Sequence, residues 1–292
     1  MCGIIKKPSK FNLFMDIYIL YYLIAGGFAG ILAGLFGIGG GLIIVPILIY
    51  IFTAQGISEA ALTHICVGTS LATIIVTSIS SLSAHNSKGG VNWTVWKRMT
   101  PGLIIGSLIG AGVASLIHGN SLKVIIGVGA FLVGISMLFM KNKDIETDDL
   151  SKLPSPVGQF GLGGFIGIVS AIFGIGGGTL TVPFLSYFGL KIKNAVGTSA
   201  ACGLPISVAG AIGFLVFGQF VDASIKEGLP DGVFGFVHIY AFICVSLTSF
   251  FTARIGAHFA HKLPSTTLKK SFAVLLLVVG VNLVFKSDVF TN

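Results

Sequence analysis

The sequence Phe-Gly-Ile-Gly-Gly-Gly stands at residues 36–41 and again at 173–178, and each copy is followed by a Val-Pro pair ending at Pro46 and Pro183. Three adjacent glycines end a helix and permit backbone shapes closed to other residues. A helix that restarts directly after them aims unpaired N–H groups back at the glycines, and such an end carries positive partial charge and binds anions. The segment Val-Gly-Thr-Ser also occurs twice, at 67–70 and 196–199. Backbone donors from Gly39, Gly40, Gly41, Gly176, Gly177 and Gly178, with hydroxyls from Thr69, Ser70, Thr198 and Ser199, make an uncharged cradle for an oxyanion. Pro46 and Pro183 are placed within the first helical turns, where proline costs least. His64, just before the first Thr-Ser pair, and His85, in "SAHNSKGGVNW", are secondary candidates for the same site.

The elements that position this chemistry are repeated with it. Gly37–Pro46 aligns with Gly174–Pro183, Gly110-Ala111 with Gly256-Ala257, Leu122-Lys123 with Leu268-Lys269, and Gly134 with Gly280. The order is the same in both halves. Five apolar segments are expected in each: near 14–36, 42–53, 62–84, 100–117 and 122–140, then near 157–173, 179–189, 195–217, 233–253 and 268–286. The division reads as an N-terminal tail (1–14), a first repeat (15–140), a charged linker (141–156), a second repeat (157–286) and a short tail (287–292). The second segment of each half is too short to cross about 30 Å of hydrocarbon at about 1.5 Å per residue, so it is a half-helix or one arm of a re-entrant pair. Gly26/Gly30/Gly34 and Gly102/Gly106/Gly110 form two small-residue faces of the kind that pack helices closely.

Composition names the solvent. Hydrophobic residues make up 54% of the 292, charged residues 10%, and mean hydropathy is +0.97. A soluble domain carries about 25% charge, so the chain reads as an all-α polytopic membrane protein, every spanning segment helical because lipid offers backbone no partner. The net charge of +8 is spread over loops between apolar segments and reports orientation; no basic, aromatic-interleaved patch points to nucleic acid. Twelve of the eighteen basic residues fall on one side if the N-terminus is outside and each half crosses an odd number of times. The halves are then inverted repeats, a common transporter plan with the site at paired glycine- and proline-interrupted helices; the rival topology, four spans per half with the N-terminus inside, accounts for the lysines of the N-terminal tail but places Arg254, Lys262, Lys269 and Lys270 outside. Trp93, Trp96 and Tyr240 read as interface anchors. The scattered cysteines, Cys2, Cys66, Cys202 and Cys244, make neither a disulfide frame nor a metal site, and no HExxH, GxSxG or GxxxxGK[ST] occurs. No enzyme, metal centre or cofactor is expected.

At these residues the chain resembles the sulfite exporter TauE/SafE family of membrane permeases. The likeness is carried by the two "FGIGGG…VP" blocks, the two Gly-Thr-Ser segments, "AHNSKGGVNW" and "TPGLIIGSLIGA", and runs from about Ile24 to Phe285. It implies an inner-membrane protein of about seven to nine spans that moves sulfur-containing anions such as sulfite, sulfoacetate or thiosulfate. In the second half "GFLVFGQFVDAS" replaces the histidine-containing stretch, so any site role of His85 is not duplicated. The leading expectation is a permease for a small anion of this class, working by alternating access between the two glycine breaks. Partners are the anionic substrate and the bilayer, with a coupling ion and oligomer left open. The alternatives are a non-transporting scaffold, or a carrier of another organic anion or a metal ion.

Overall fold

The computed structural model describes residues 10–36, 40–139, 150–220, 229–260 and 265–285. Among them are ten α-helices: α1 (Lys10–Phe36), α2 (Gly41–Ala54), α3 (Glu59–Asn86), α4 (Trp93–Leu116), α5 (Gly119–Phe139), α6 (Pro156–Phe173), α7 (Gly178–Tyr187), α8 (Ile192–Phe217), α9 (Ile239–Ala260) and α10 (Ser265–Phe285). Seven of these are long and apolar enough to cross a membrane, and α2 and the Ala273–Phe285 part of α10 are shorter apolar helices. The outward faces carry exposed Ile105, Phe165, Leu247 and Phe251, a surface suited to lipid and not to water. The chain is a multi-pass membrane protein.

Two details depart from the sequence expectation. α4 begins at Trp93 and not near 100, because Asn92 caps it by accepting the Val95 N–H at 3.2 Å; Pro101 then sits inside the helix. Residues 233–238, expected to open a helix, form a two-stranded antiparallel hairpin, β1 (Val233–Phe234) and β2 (Val237–His238). Gly232 and Gly235, at φ 84° and 56°, turn the chain there, and such angles do not continue a right-handed helix. The Lys141–Asp149 part of the linker and the tail 287–292 lie outside the described residues.

The helices cross where glycines let backbones touch. Gly26 meets the Val245 carbonyl, Gly30 meets Ser249, and Gly256 meets the Ile31 carbonyl, so α1 and α9 run parallel. Gly163 meets the Met99 carbonyl, Gly167 the Leu103 carbonyl, and Gly110 the Ile168 carbonyl, so α4 and α6 run parallel. Extending the repeat alignment makes these the same three contacts with the halves exchanged: Gly163 is the counterpart of Gly26, Met99 of Val245, and Ile168 of Ile31. The small-residue faces on α1 and α4 thus pack helices, as expected. α5 and α10 cross antiparallel, with Gly127 on Gly280 and Gly134 on Ala273.

α3 and α8 form the enclosed centre. Gly68, near the start of α3, packs on Phe214 at the end of α8, while Gly90, just beyond α3, lies against Gly197 at the start of α8. The two helices therefore run antiparallel. α3 also follows α9 in parallel, from Thr69 beside His238 to Ser80 beside Phe250, and α4 follows α8, from Trp96 beside Ala201 to Ala111 beside Gly213. Two groups result, α1–α2–α3–α9 and α4–α6–α7–α8, joined along α3 and α8.

The glycine crossings give a direct test. A side chain at Gly106 would overlap the Gly164 carbonyl, whereas nothing lies within 4 Å of a Cβ placed on Gly161. Overpacking of this kind costs about 1–3 kcal/mol. Gly106→Val is expected to lower the melting temperature in detergent or abolish the monodisperse peak, and Gly161→Ala is expected to leave both unchanged.

Candidate functional site

Both glycine blocks are helix breaks. α6 ends on Gly174, at φ 67°, and α7 restarts at Gly178 after Gly177, at φ 75°; α2 restarts at Gly41 after Gly40, at φ 80°. Only glycine takes these left-handed angles without strain. Gly39, with Gly37 and Ile38, lies outside the described residues. The Gly40 carbonyl accepts the N–H groups of Ile43 and Ile44, and the Gly177 carbonyl those of Leu180 and Thr181. A glycine cap brings no side-chain acceptor, so the N–H groups of the very first residues of α2 and α7 are left for another partner.

The two breaks meet. Gly41 rests on the Gly174 carbonyl and the Ile175 backbone, and the Ser70 hydroxyl donates to the Gly174 carbonyl at 2.8 Å. Ser70 lies about 16 Å along α3 from its start, at 1.5 Å per residue, so the meeting point is near mid-membrane. Surface hollows of about 550 Å³ beside Leu277 and Val281, and of about 300 Å³ beside Gly106 and Phe165, are apolar and lie on the outer faces away from this point.

The Thr-Ser pairs divide their work. Thr69 Oγ1 accepts the backbone N–H of His238 at 2.9 Å, and Thr198 Oγ1 accepts that of Asn92 at 2.8 Å. These are counterpart bonds in the two halves, and each holds the segment that leads into α9 or α4. Both threonines are fully buried, as are Ser70 and Ser199. The Ser199 hydroxyl has no hydrogen-bond partner among the described residues.

The environments of the two breaks differ chemically. A Cβ built on Gly40 would face Ala33, the Ala29 carbonyl and Ile44; one built on Gly177 would meet the Ile206 side chain first, then Thr181 Oγ1 at 3.4 Å and Ser170 Oγ at 3.7 Å. Ser170 and Thr181 are the repeat counterparts of Ala33 and Ile44. Their hydroxyls, and that of Thr179, are buried without hydrogen-bond partners among the described residues. Ser78 joins them from α3: its hydroxyl and the Gly176 carbonyl lie 2.8 and 2.9 Å from the Cβ position of Gly203. Buried hydroxyls cost free energy when unpaired, so this cluster marks a place for water or a ligand. Ser170, Thr179, Thr181 and Ser78 were not singled out from sequence. The signal was present in the aligned blocks, where "VSAIFGIGGGTLTVP" replaces "LAGLFGIGGGLIIVP".

The secondary candidates fall elsewhere. His64 is buried with Nε2 3.1 Å from the Ala114 carbonyl and 2.9 Å from that of Ile117, stacked on Phe236; it holds the end of α4. His85 is buried near the far end of α3. Pro46 and Pro183 are each the sixth residue of their helix, beyond the first turn. Lacking an N–H, they leave the carbonyls of Leu42 and Thr179 without their usual helical donor. Among the described residues the buried charged side chain is Lys123, paired with Glu59 at 3.4 Å at the edge of α3, and there is no group of three His, Cys, Asp or Glu side chains that could hold a metal ion.

The paired threonine bonds predict a structural penalty. Thr69→Val or Thr198→Val strands a buried N–H, at about 1–3 kcal/mol, and is expected to lower the melting temperature, while Thr→Ser at either position restores most of it.

The chain is similar in sequence to known proteins along nearly its whole length. A protein of Haemophilus influenzae described as a probable membrane transporter is 37% identical over 273 residues, covering 93% of this chain and all of the relative. One from Methanocaldococcus jannaschii with the same description is 30% identical, over 95% and 98% of the two chains. Another from Bacillus subtilis is 27% identical, over 90% and 96%. No solved structure matches. Residues 22–283 match the sulfite exporter TauE/SafE family, and the chain belongs to that family of membrane transporters.

Proposed function

We propose that the chain carries a small anion, of the sulfur oxyanion or organosulfonate class, across the cell membrane by alternating access, and that the anion binds at the second glycine break. One observation carries this reading: the start of α7, which has no side-chain cap, gathers near it the buried hydroxyls of Ser170, Thr179 and Thr181, without hydrogen-bond partners among the described residues, beside Ile206 and with Ser78 opposite. Uncapped N–H groups at a helix start supply donors and positive partial charge, and hydroxyls add donors that rotate to suit an oxyanion. The lack of buried Lys or Arg at the break favours a site built from dipoles and not from a counter-ion. A scaffold has no use for unpaired hydroxyls at mid-membrane, since packing alone is served better by the Ala33 and Ile44 of the first break. The name of the family supports sulfite and its kin as substrates.

The repeat supports alternating access. Counterpart helices run in opposite directions, as the α3–α8 and α5–α10 crossings require. That pattern is the one expected of inverted repeats, which reach two access states by exchanging the conformations of their halves. Gly41 on the Gly174 carbonyl closes the breaks upon each other, and movement of the α1–α2–α3–α9 group against the α4–α6–α7–α8 group is the motion that would separate them.

The test is ligand-dependent stability followed by flux. Purified protein is expected to show a saturable rise in melting temperature with sulfite, thiosulfate or sulfoacetate, by mass action on the folded state, and not with lactate, taurine or nickel. Ser170→Ala/Thr181→Val, which keeps the volume and removes both hydroxyls, is expected to lower the shift and cut flux of the stabilising anion into proteoliposomes at least tenfold. Its first-break analogue, Ala33→Gly, is expected to do neither. A shift with nickel alone, or full flux in the double variant, overturns the assignment.

A further inference from the structure

Beyond the second break, buried hydroxyls without a hydrogen-bond partner among the described residues continue along α3 toward its C-terminal end. Ser78 faces the break through Gly203 and Gly176. Ser81 is one turn further along α3, 1% exposed, and its hydroxyl also has no hydrogen-bond partner among the described residues. His85 follows one turn later and is 7% exposed. The spacing i, i+3, i+7 puts the three on one helical face. That face ends beside Lys88 and Gly90, where Gly90 lies against the Lys193 carbonyl at the start of α8. Lys97, Arg98 and Lys191 are carried by the same end of the molecule, which positive-inside bias assigns to the inner face.

The opposite direction is closed by aromatic side chains, although Thr63 Oγ1 and His64 Nδ1 on α3 are buried there without a partner among the described residues. The repeat counterparts of Ser78, Ser81 and His85 on α8 are Ser207, Gly210 and Phe214. Ser207 is bonded within its own helix to the Leu204 carbonyl at 3.0 Å, Gly210 is filled by the Leu71 side chain, and Phe214 is fully buried. Phe214 meets Phe236 edge-on at 6.3 Å, and Phe236 stacks on His64 at 4.9 Å. Phe236 sits between β1 and β2, with its carbonyl on Gly68 and its N–H bonded to the Phe214 carbonyl at 3.2 Å. Beside it His238 stacks on Phe52 at 5.1 Å and leans on Tyr22. This aromatic layer closes the end that carries Glu59 and Asp231. In the first half the segment matching the hairpin contains Gly89 and Gly90 and no aromatic residue before Trp93.

We propose that Ser78, Ser81 and His85 line the inner half of the substrate path, and that Phe236 on its hairpin is the outer gate. The proposal rests on the second-break site. A polar, hydratable half-path on one side and an aromatic plug on the other give the duplicated fold two unlike gates. The anion moves between the break and the inner face along hydroxyls, and reaches the outer face when the hairpin lifts Phe236 off Gly68.

Cysteine accessibility tests this without a substrate. In a background lacking Cys2, Cys66, Cys202 and Cys244, single variants Ser78→Cys, Ser81→Cys and Leu71→Cys are treated with 2-sulfonatoethyl methanethiosulfonate, a membrane-impermeant anion. Right-side-out and inverted vesicles are compared, with Lys88→Cys as the marker of the inner face. The expected result is reaction of Ser78→Cys and Ser81→Cys from the side that labels Lys88→Cys. Leu71→Cys is expected to be inert from the outer side until Phe236→Ala is added, when its rate rises at least tenfold. Inert Ser78→Cys and Ser81→Cys in vesicles where Lys88→Cys reacts would overturn the path. An unchanged Leu71→Cys rate with Phe236→Ala would overturn the gate, provided size-exclusion chromatography shows the variant folded. Because the readout is a thiol reaction, it is separate from whether sulfite is the cargo, which the flux assay decides.

Discussion

An unwound stretch of backbone in the middle of a bilayer must find its hydrogen bonds inside the protein, because lipid supplies none. Two such stretches occur here, and the rest of the structure is arranged about them. α3 and α8 are the most enclosed helices because they wall the breaks on both sides. Ser70 reaches across to satisfy the Gly174 carbonyl. Thr69 and Thr198 hold the segments entering α9 and α4, the helices that pack α1 and α6 into place. The glycine-rich crossings then let those outer helices approach to backbone contact, so that Gly40, Gly41, Gly177 and Gly178 are buried. Packing of small residues and satisfaction of backbone groups are thus one problem: without the close crossings, the breaks would face lipid.

The packing contacts repeat between the halves, and the lining of the proposed site does not. The contacts that hold the helices together recur almost residue for residue between the halves: Gly26 on Val245 against Gly163 on Met99, and His238 on Thr69 against Asn92 on Thr198. The differences concentrate where a ligand would sit or pass. Ser170 and Thr181 stand at one break and Ala33 and Ile44 at the other. Symmetry of the frame is what allows a frame to exchange two conformations of similar energy. Asymmetry of the lining is what allows those conformations to differ in what they bind and admit.

Much of the frame was legible in the sequence because its causes are local or periodic. Triple glycines announce breaks, GxxxG spacing announces close crossings, and composition announces lipid. What was not legible depended on partners distant in sequence. Thr69 and Thr198 looked like free hydroxyls because nothing local reveals that His238 and Asn92 will donate to them. His64 looked like a neighbour of the site, yet its ring lies on the end of α4, fifty residues on. The hairpin at 233–238 was read as helix because its residues are apolar; the turn is set by Gly232 and Gly235, whose angles no hydropathy pattern records. Ser170 and Thr181 were passed over for the opposite reason. Repeat logic directs attention to what the two blocks share, and the information was in where they differ.

The absence of a buried cation at the second break bears on how such a site would function. An anion leaving water for a low-dielectric site gives up strong hydration, and an Arg or Lys opposite would recover it through one deep electrostatic well. In the proposed site the first N–H groups of α7 and the hydroxyls of Ser170, Thr179 and Thr181 would replace that well with several shallower interactions, each charge-assisted hydrogen bond contributing about 1.5–3 kcal/mol. Dipoles of this kind hold an anion without a permanent charge that would need its own partner whenever the site is empty. The empty site can then reorient across the membrane without stranding a charge in lipid. That is the half of the transport cycle a buried lysine would obstruct, and it gives a physical reason for a carrier of anions to keep its own ionised groups at the edges, as with Lys123 and Glu59.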